Sequence, residues 1–201
     1  VRGHEPLALH DELRVRELAR QGAKAVAAMP GMQELRDLGT ASTVVYQQAF
    51  GGLPTRNYSS GVFDGADRIS GQAMHDSILV RTDSCYACAV RCKRRVRAET
   101  PYAIDPEYGG PEYESLASLG SYLCIDNLAV VAKANELCNK YTLDTISTGG
   151  TIAFAMECYE HGLLTLEDTD GIDLRFGNGA ALLAMIEKIA HREGIGDLLA
   201  E

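Results

Sequence analysis

Apolar side chains recur every three to four residues through most of the 201-residue sequence. That spacing places them on one face of an α-helix, which can then pack against a core. Glycine and proline interrupt the pattern and divide it into separate segments. The pattern predicts seven helices, over residues 10–29, 40–50, 65–79, 112–123, 127–141, 147–162 and 179–192.

Polar residues suited to N-capping stand before three of the predicted helices, where their side chains can accept hydrogen bonds from free backbone N–H groups. The expected caps are Asp126 for residues 127–141, Ser147 or Thr148 for the following helix, and Asn178 for the last. These caps fix where each helix begins.

The segment KRRVRAETPYAI, residues 93–104, is the one place where we expect β structure. The expected fold is therefore mostly α, an irregular multi-helix domain with at most a short β-hairpin near residues 93–104. No internal repeat or long linker divides the sequence, so we expect one domain over residues 1–201.

Charge is distributed unevenly along the chain. Residues 1–97 carry fourteen basic and ten acidic side chains, whereas residues 98–201 carry five and eighteen. The overall net charge of -9 argues against general nucleic-acid binding, which needs an excess of positive charge. An anionic ligand is expected near the boundary, where a run of basic residues ends.

The apolar runs are too short for a membrane span, and no charged-then-apolar leader is visible. We therefore expect a cytoplasmic protein. The sequence begins at Val1 rather than at a methionine and stops within a helix-like segment. These ends predict a piece of a longer protein.

Three of the six cysteines crowd into the stretch SCYACAVRCKRR, as Cys85, Cys88 and Cys92. Closely spaced thiolates bind soft or borderline metals, and three interpretations stay open. An iron-sulfur cluster would take its fourth ligand from far away in the chain. A zinc site would have to use His75 in an irregular Cys3His set, and the third interpretation is an inert or redox-active thiol group.

The basic run after the cysteines consists of Arg91, Lys93, Arg94, Arg95 and Arg97. Such a run is most often a solvated face. Beside thiolates, however, these cations would stabilise a net-negative cluster or bind phosphate groups of a cofactor. No interleaved aromatic residues point to nucleic acid.

Two segments downstream have both a structural and a functional interpretation. Glu112 and Glu114 stand at a predicted helix start, where carboxylates are favoured by the helix dipole, but in a dry pocket one of them could transfer protons. The segment NKYTLDTISTGG, residues 139–150, leads into a helix start, which could simply be capped or could bind an anion or heterocycle.

Several long motifs, taken in order, resemble the tungsten-containing aldehyde ferredoxin oxidoreductase family. They are LPTRNYSSGVFDGADRISG, CYACAVRC, GGPEYESLASLGSYL, ANELCNKYTLDTISTGGTIAFAMECYEHGLL and LRFGNGAALLAMIEKIAHREGIGDLLAE. The resemblance runs from about residue 40 to the end. It implies the helical middle domain of the family, with the β-rich amino-terminal domain and the helical carboxy-terminal domain absent from this chain.

The resemblance implies an enzyme that oxidises aldehydes to carboxylic acids at a tungsten, or sometimes molybdenum, centre held by two pyranopterins. Electrons would pass through a [4Fe-4S] cluster to ferredoxin. Cys85, Cys88 and Cys92 match three of the cluster ligands, and the fourth is expected in the missing carboxy-terminal domain. Both cofactors are expected in the intact enzyme, and the isolated chain need hold neither.

The family's pterin-binding pattern D-x-x-G-L-D falls on the turn after residues 127–138. The matching positions are Asn139, Thr142, Leu143 and Asp144, with Thr145, Ser147 and Thr148 as further contacts. Asn139 and Thr142 depart from the pattern, and Thr142 replaces a glycine. In the PEYE motif the family places a glutamate beside the metal, for which we favour Glu114 over Glu112.

The partners implied are ferredoxin, an aldehyde and the missing domains of the same enzyme, and a homo-oligomer is compatible with the sequence. Neither nucleic acid nor membrane is expected as a partner. The chain alone is expected to be inactive. The alternatives are a zinc-stabilised helical binding module, a metal-free helical scaffold, and the catalytic subunit of a tungsten-dependent benzoyl-coenzyme A reductase.

Overall fold

Helices alternate with short connections through residues 8–201, the part of the chain that the computed structural model describes. Nine α-helices occur in these residues: α1 (Glu12–Ala28), α2 (Met32–Leu38), α3 (Thr43–Phe50), α4 (Gly71–Ser77), α5 (Tyr113–Leu119), α6 (Leu128–Tyr141), α7 (Thr145–Glu160), α8 (Gly179–His191) and α9 (Ile195–Leu199). Two antiparallel strands, β1 (Leu79–Asp83) and β2 (Lys93–Val96), form the only sheet of the described residues. The mostly α fold with one short hairpin is confirmed.

Helices α5, α6, α7 and α8 supply most of the buried core. Helix α5 packs against α7, and α6 packs against α8. Their inward faces are apolar and fully buried, as shown by Leu116, Leu119, Ile152, Met156, Leu182, Met185 and Ile186. Burial of such side chains is the main favourable contribution to folding, at about 1.5–3 kcal/mol each. Helix α1, by contrast, has no buried residue.

Gly149 sets how closely α5 and α7 approach. A Cβ atom at Gly149 would lie 2.3 Å from the backbone oxygen of Ser118, well inside contact distance. The hydroxyl of Ser118 also donates a hydrogen bond to the backbone oxygen of Thr145 across the same interface (3.0 Å). The two helices therefore touch backbone to backbone at the start of α7.

The hairpin differs from the prediction in its first strand. Strand β2 lies within residues 93–104, but its partner is β1, which begins at Leu79, the last residue of the segment predicted as helix 65–79, and continues to Asp83. Residues beyond β2 contribute only one isolated bridge, between Ala98 and Ile104. A nine-residue loop separates the strands, so no short turn motif marked the hairpin in the sequence.

The predicted helix over residues 65–79 is wrong in its extent. It consists of a 3₁₀ turn over Ala66–Ile69 followed by α4, whose N-cap is Ser70. The apolar pattern does not predict helix α2, because the Pro-Gly pair before it is typical of a helix end. Helix α5 ends at Leu119, and a 3₁₀ turn follows over Ser121–Leu123.

Two of the three predicted caps are also wrong. Asn127, not Asp126, caps α6 by accepting hydrogen bonds from the N–H groups of Ala129 (3.1 Å) and Val130 (3.3 Å). Asp126 instead forms an ion pair with Arg68.

Helix α7 begins at Thr145, so its cap is Asp144 rather than Ser147 or Thr148. The carboxylate of Asp144 accepts a hydrogen bond from the N–H of Ser147 (2.7 Å). The prediction that Asn178 caps α8 is confirmed.

No single described helix is long and apolar enough to cross a membrane. The segments Tyr113–Leu123 and Leu128–Tyr141 reach that composition only together, and they are bent by 118° relative to each other. Most of their residues belong to the buried core described above.

Candidate functional site

The three clustered cysteines lie in the loop that joins β1 to β2. The loop turns tightly, because the N–H of Cys88 donates a hydrogen bond to the backbone oxygen of Cys85 (3.1 Å). Left-handed backbone at Ala87 (φ 56°) and Arg91 (φ 61°) directly precedes Cys88 and Cys92. The structure thus brings the three predicted metal ligands together in one loop, with Cys85 exposed and the other two half-buried.

The electrostatic surroundings of the cysteines differ. The backbone N–H groups of Arg91 and Val90 lower the pKa of Cys88, because they stabilise its thiolate. Burial, followed by the negative charge of Glu112, raises the pKa of Cys92. A metal that replaces the thiol protons would offset the raised pKa of Cys92, since its positive charge stabilises every bound thiolate.

Among residues 8–201, no group of three or more histidine, cysteine, aspartate or glutamate side chains converges on a point that could hold one metal ion. His75 lies on the surface of α4, next to Asp76, and lines a shallow depression with Gln72, Glu34 and Asp37. The Cys3His zinc set is therefore not assembled. Cluster thiolates bind different iron atoms, so they need not converge in this way.

The basic run after the cysteines is split by the alternation of β2. Arg94 points inward and is only 4% exposed, and Arg95 forms an ion pair with Asp83 (2.7 Å). Arg91, Lys93 and Arg97 are half-exposed or fully exposed to solvent. The run is thus neither a uniform solvated face nor a uniform cationic flank.

Arg94 is held by backbone oxygens. Its guanidinium donates hydrogen bonds to Lys93 (2.7 Å), Leu35 (3.0 Å) and Arg36 (2.7 Å), which ties the hairpin to the end of α2. Its Nε is buried and has no hydrogen-bond partner among the described residues. Burial lowers the pKa of Arg94, while the negative charges of Glu112 and Cys92 act in the opposite direction.

A polar cavity of about 270 Å³ opens beside β2. It brings together three of the predicted site residues, Glu112, Asn139 and Thr145, with the strand residues 93–95. Asp83, Tyr108 and Ser115 also line it, although the sequence did not single them out. Asp83 reaches the cavity from β1, Tyr108 from a 3₁₀ turn over Pro106–Tyr108, and Ser115 from the contact between α5 and α7.

The two candidate glutamates lie on different sides of the start of α5. The carboxylate of Glu112 faces the cavity and accepts a hydrogen bond from the hydroxyl of Thr40. Thr40 in turn accepts a hydrogen bond from the N–H of Tyr113 (3.0 Å). Glu112 is therefore held in one position. It lines the polar cavity and, through Thr40, also fixes the start of α5.

Glu114 is exposed on the first turn of α5 and does not line this cavity. Its negative charge, after burial, contributes to the raised pKa of Tyr113 and of Tyr122. The hydroxyl of Tyr58 donates a hydrogen bond to that of Tyr122 (2.6 Å), so Glu114 lies near a cluster of phenols. Which glutamate acts in catalysis stays a prediction.

The turn between α6 and α7 contains the remaining predicted residues. Thr142 has left-handed backbone (φ 60°), and the N–H of Leu143 donates to the oxygen of Cys138 (2.8 Å), which is the hydrogen bonding of a glycine-type helix end. The cap hydrogen bond from Ser147 lowers the pKa of Asp144. Asn139 donates to the backbone oxygen of Tyr108 (3.1 Å).

Thr145 points towards α5, where its hydroxyl forms a hydrogen bond with that of Ser115 (2.9 Å). Of the predicted cofactor contacts, Asn139 and Thr145 therefore reach the cavity, whereas Asp144 is exposed and Leu143 packs against the core.

Three thiols lie in the loop of a hairpin whose second strand also lines a polar cavity with both basic and acidic side chains. Closely spaced thiols of this kind are typical of metal-binding and redox domains. The family is shown by sequence. Residues 17–201 match the family model described as "Aldehyde ferredoxin oxidoreductase, domains 2 & 3", and the chain belongs to this family. The family resemblance inferred from the motifs is confirmed.

Individual relatives agree with this assignment. The chain is 42% identical to the tungsten-containing aldehyde ferredoxin oxidoreductase of Pyrococcus abyssi over 205 residues, which cover all of this chain and 33% of the relative. It is 46% identical to the enzyme of the same name from Thermococcus kodakarensis over 164 residues, which cover 81% of this chain and 26% of the relative. The chain thus spans about a third or less of the length of these relatives.

One solved structure shares the fold. It is the active site complex BamBC of benzoyl coenzyme A reductase, in complex with 1,5-dienoyl-CoA, with a TM-score of 0.59 and 19% identity. The match covers 82% of this chain and 24% of that chain.

Proposed function

We propose that the chain is the cluster-bearing part of an oxidoreductase that oxidises aldehydes to carboxylic acids at a tungsten-bispyranopterin centre and passes the electrons through a [4Fe-4S] cluster to ferredoxin. Molybdenum is the alternative metal. The observation that carries the proposal is the 42% identity to a tungsten-containing aldehyde ferredoxin oxidoreductase over the whole chain, with three thiols in one loop beside a polar cavity.

The residues present fit a cluster in their donor chemistry. Cys85, Cys88 and Cys92 supply three sulfur ligands, and the buried Nε of Arg94 is a donor left free beside them. A [4Fe-4S] cluster needs a fourth ligand, which we place in a part of the enzyme outside this chain. When bound, the tungsten centre would supply a two-electron oxidant and the cluster a one-electron relay.

The cavity beside β2 is suited to the edge of a polar cofactor. Asn139 and Thr145 offer amide and hydroxyl groups, and Lys93 offers a cation for a phosphate. Asp144 orients the first turn of α7, and Leu143 anchors the turn in the core. These residues would position the cofactor, while its other side would be held by the rest of the enzyme.

Proton transfer is the role we assign to Glu114. Oxidation of an aldehyde to a carboxylic acid takes its oxygen from water and releases two electrons and two protons. Glu114 makes no hydrogen bond or ion pair within the described residues, so its carboxylate is free to accept a proton from that water. Glu112 is engaged by Thr40 and is better suited to fixing the start of α5.

The activity is tested on the protein encoded by the complete open reading frame around this chain. We expect aldehyde-dependent reduction of a viologen dye, measured anaerobically with aliphatic and aromatic aldehydes. Reduction of benzoyl-coenzyme A by a low-potential donor, without aldehyde oxidation, would contradict the proposal and favour the reductase alternative. That alternative rests on the shared fold alone.

A further inference from the structure

Arg94 is the one buried residue of the basic run, and Nε is the one nitrogen of its guanidinium without a hydrogen-bond partner among the described residues. Three backbone oxygens, at distances of 2.7 to 3.0 Å, hold the two terminal nitrogens of its guanidinium. The Nε–H group is buried without a partner. Leaving a buried donor unsatisfied costs about 1–3 kcal/mol, and more for a charged group.

The unused donor lies beside the cysteine loop. A Cβ atom at Gly39 would lie 2.7 Å from the backbone oxygen of Cys92 and 3.1 Å from Nε of Arg94. Gly39, Cys92 and Arg94 thus lie next to one another. Because Gly39 has no Cβ atom, the space between them is free of a side chain, and its positive φ of 69° favours glycine there.

We propose that Arg94 is a positioning residue for the iron-sulfur cluster, whose Nε–H group donates a hydrogen bond to the sulfur of Cys92 when the cluster is bound. This inference rests on the proposed function. Hydrogen bonds and positive charge at the ligand sulfurs stabilise the more negative, reduced state of a cluster, and they raise its reduction potential. Arg94 would therefore set the potential at which this cluster accepts an electron.

A purely structural role has different consequences. As an anchor, Arg94 would tie β2 to the end of α2, and its replacement would lower stability without moving the potential of the cluster. The potential of the cluster separates the two roles. Arg94→Lys keeps the positive charge and removes the Nε–H donor, so a lowered potential reports the lost hydrogen bond, whereas lower stability with an unchanged potential reports an anchor alone.

The experiment uses the 201-residue chain, reconstituted anaerobically with iron and sulfide, with a small thiol supplied as the fourth ligand. The potential of the cluster is measured by redox titration followed by electron paramagnetic resonance. We expect Arg94→Lys to shift the potential downwards and Arg94→Gln to shift it further. The control Arg97→Gln removes an equal charge from an exposed position of the same run and should leave the potential unchanged.

A second measurement needs no variant, so it holds even if the Arg94 variants fail to fold. The chain is labelled with arginine that carries ¹⁵N only in the guanidinium group. Pulsed paramagnetic resonance of the reduced cluster should then show a ¹⁵N coupling. A cluster without this coupling, or an Arg94→Lys variant with an unchanged potential, overturns the inference alone. Failure to assemble any cluster overturns the proposed cluster and this inference with it.

Discussion

Thr142 occupies a backbone conformation that favours glycine, at the position where the family's pterin-binding pattern has glycine. Its φ of 60° lies in the left-handed region, which is costly for a β-branched residue. The preceding helix ends with the hydrogen bonds typical of a glycine C-cap. The turn therefore keeps its glycine-type conformation although Thr142 replaces glycine, and the backbone of Thr142 is strained as a result.

Substitution Thr142→Gly should relieve this strain. We expect the free energy of unfolding to rise by about 1 kcal/mol, after allowance for the greater flexibility of glycine in the unfolded chain. Thermal denaturation of the 201-residue chain measures the gain. Thr142→Ala is the control, since it keeps the Cβ atom, and a gain as large as that of Thr142→Gly would show that the left-handed backbone is not the cause.

Replacing each of the two glutamates of the PEYE motif should affect the activity of the enzyme differently. In the intact enzyme, we expect Glu114→Gln to lower kcat about 10²–10⁴-fold, the range for loss of an acid or base catalyst. Glu112→Gln keeps an acceptor for the hydroxyl of Thr40 and should leave most of the activity. Steady-state oxidation of an aldehyde decides between them, and the reverse order would transfer the proton-transfer role to Glu112.

Individual residues of the site were predictable where the motif alone identifies them, as for the three cysteines. The inward position of Arg94 was not. In the sequence it is one member of a basic run, and only the alternation of β2 places it on the same side as the buried Val96. Residues 93–104 were expected to hold β structure, but the partner strand β1 was not, because the nine-residue cysteine loop between the strands contains no hairpin turn signal.

At the level of elements, the contact between α5 and α7 forms part of the wall of the cavity. Thr145 and Ser115 meet across this contact, and both line the cavity. The contact depends on the absence of a side chain at Gly149. In the sequence the segment STGG indicates only a helix start, and its role in helix packing depends on the fold that brings Ser118 against Gly149.

Substitution Gly149→Ala should therefore be destabilising. Its Cβ atom would overlap the backbone oxygen of Ser118, which cannot move aside as a side chain could. We expect a loss of about 3 kcal/mol in the free energy of unfolding, at the upper end for overpacking.

The neighbouring Gly150 provides a matched control, because nothing lies within 4 Å of an added Cβ atom there. Gly150→Ala should be neutral or stabilising by up to about 1 kcal/mol, since alanine favours helix more than glycine does. Denaturant unfolding of the two variants gives the comparison. Equal effects would show that α5 and α7 do not approach at Gly149.

At the scale of the whole molecule, the chain covers about a third of the length of a relative that it matches from end to end. Three thiols and one wall of a cavity are present, but a fourth cluster ligand is not assembled in residues 8–201. The helical class followed from the apolar pattern. The rest of the proposed site could not be predicted from this sequence, because the proposal places its remaining ligands outside the 201 residues.

The isolated chain should accordingly be inactive. We expect no aldehyde-dependent dye reduction by the purified 201 residues, even after reconstitution of a cluster, because half of the proposed cofactor pocket is missing. The intact enzyme, assayed in parallel, is the positive control. Turnover by the chain alone would mean that the described cavity is a complete active site.

The central claim is that Cys85, Cys88 and Cys92 hold an iron-sulfur cluster. The most direct test is the metal and sulfide content of the chain after anaerobic exposure to iron, sulfide and zinc together, compared with a variant in which all three cysteines are serine. We expect about four iron and four sulfide per chain, with a paramagnetic signal on reduction, all lost in the variant. Stoichiometric zinc without iron or sulfide would contradict it.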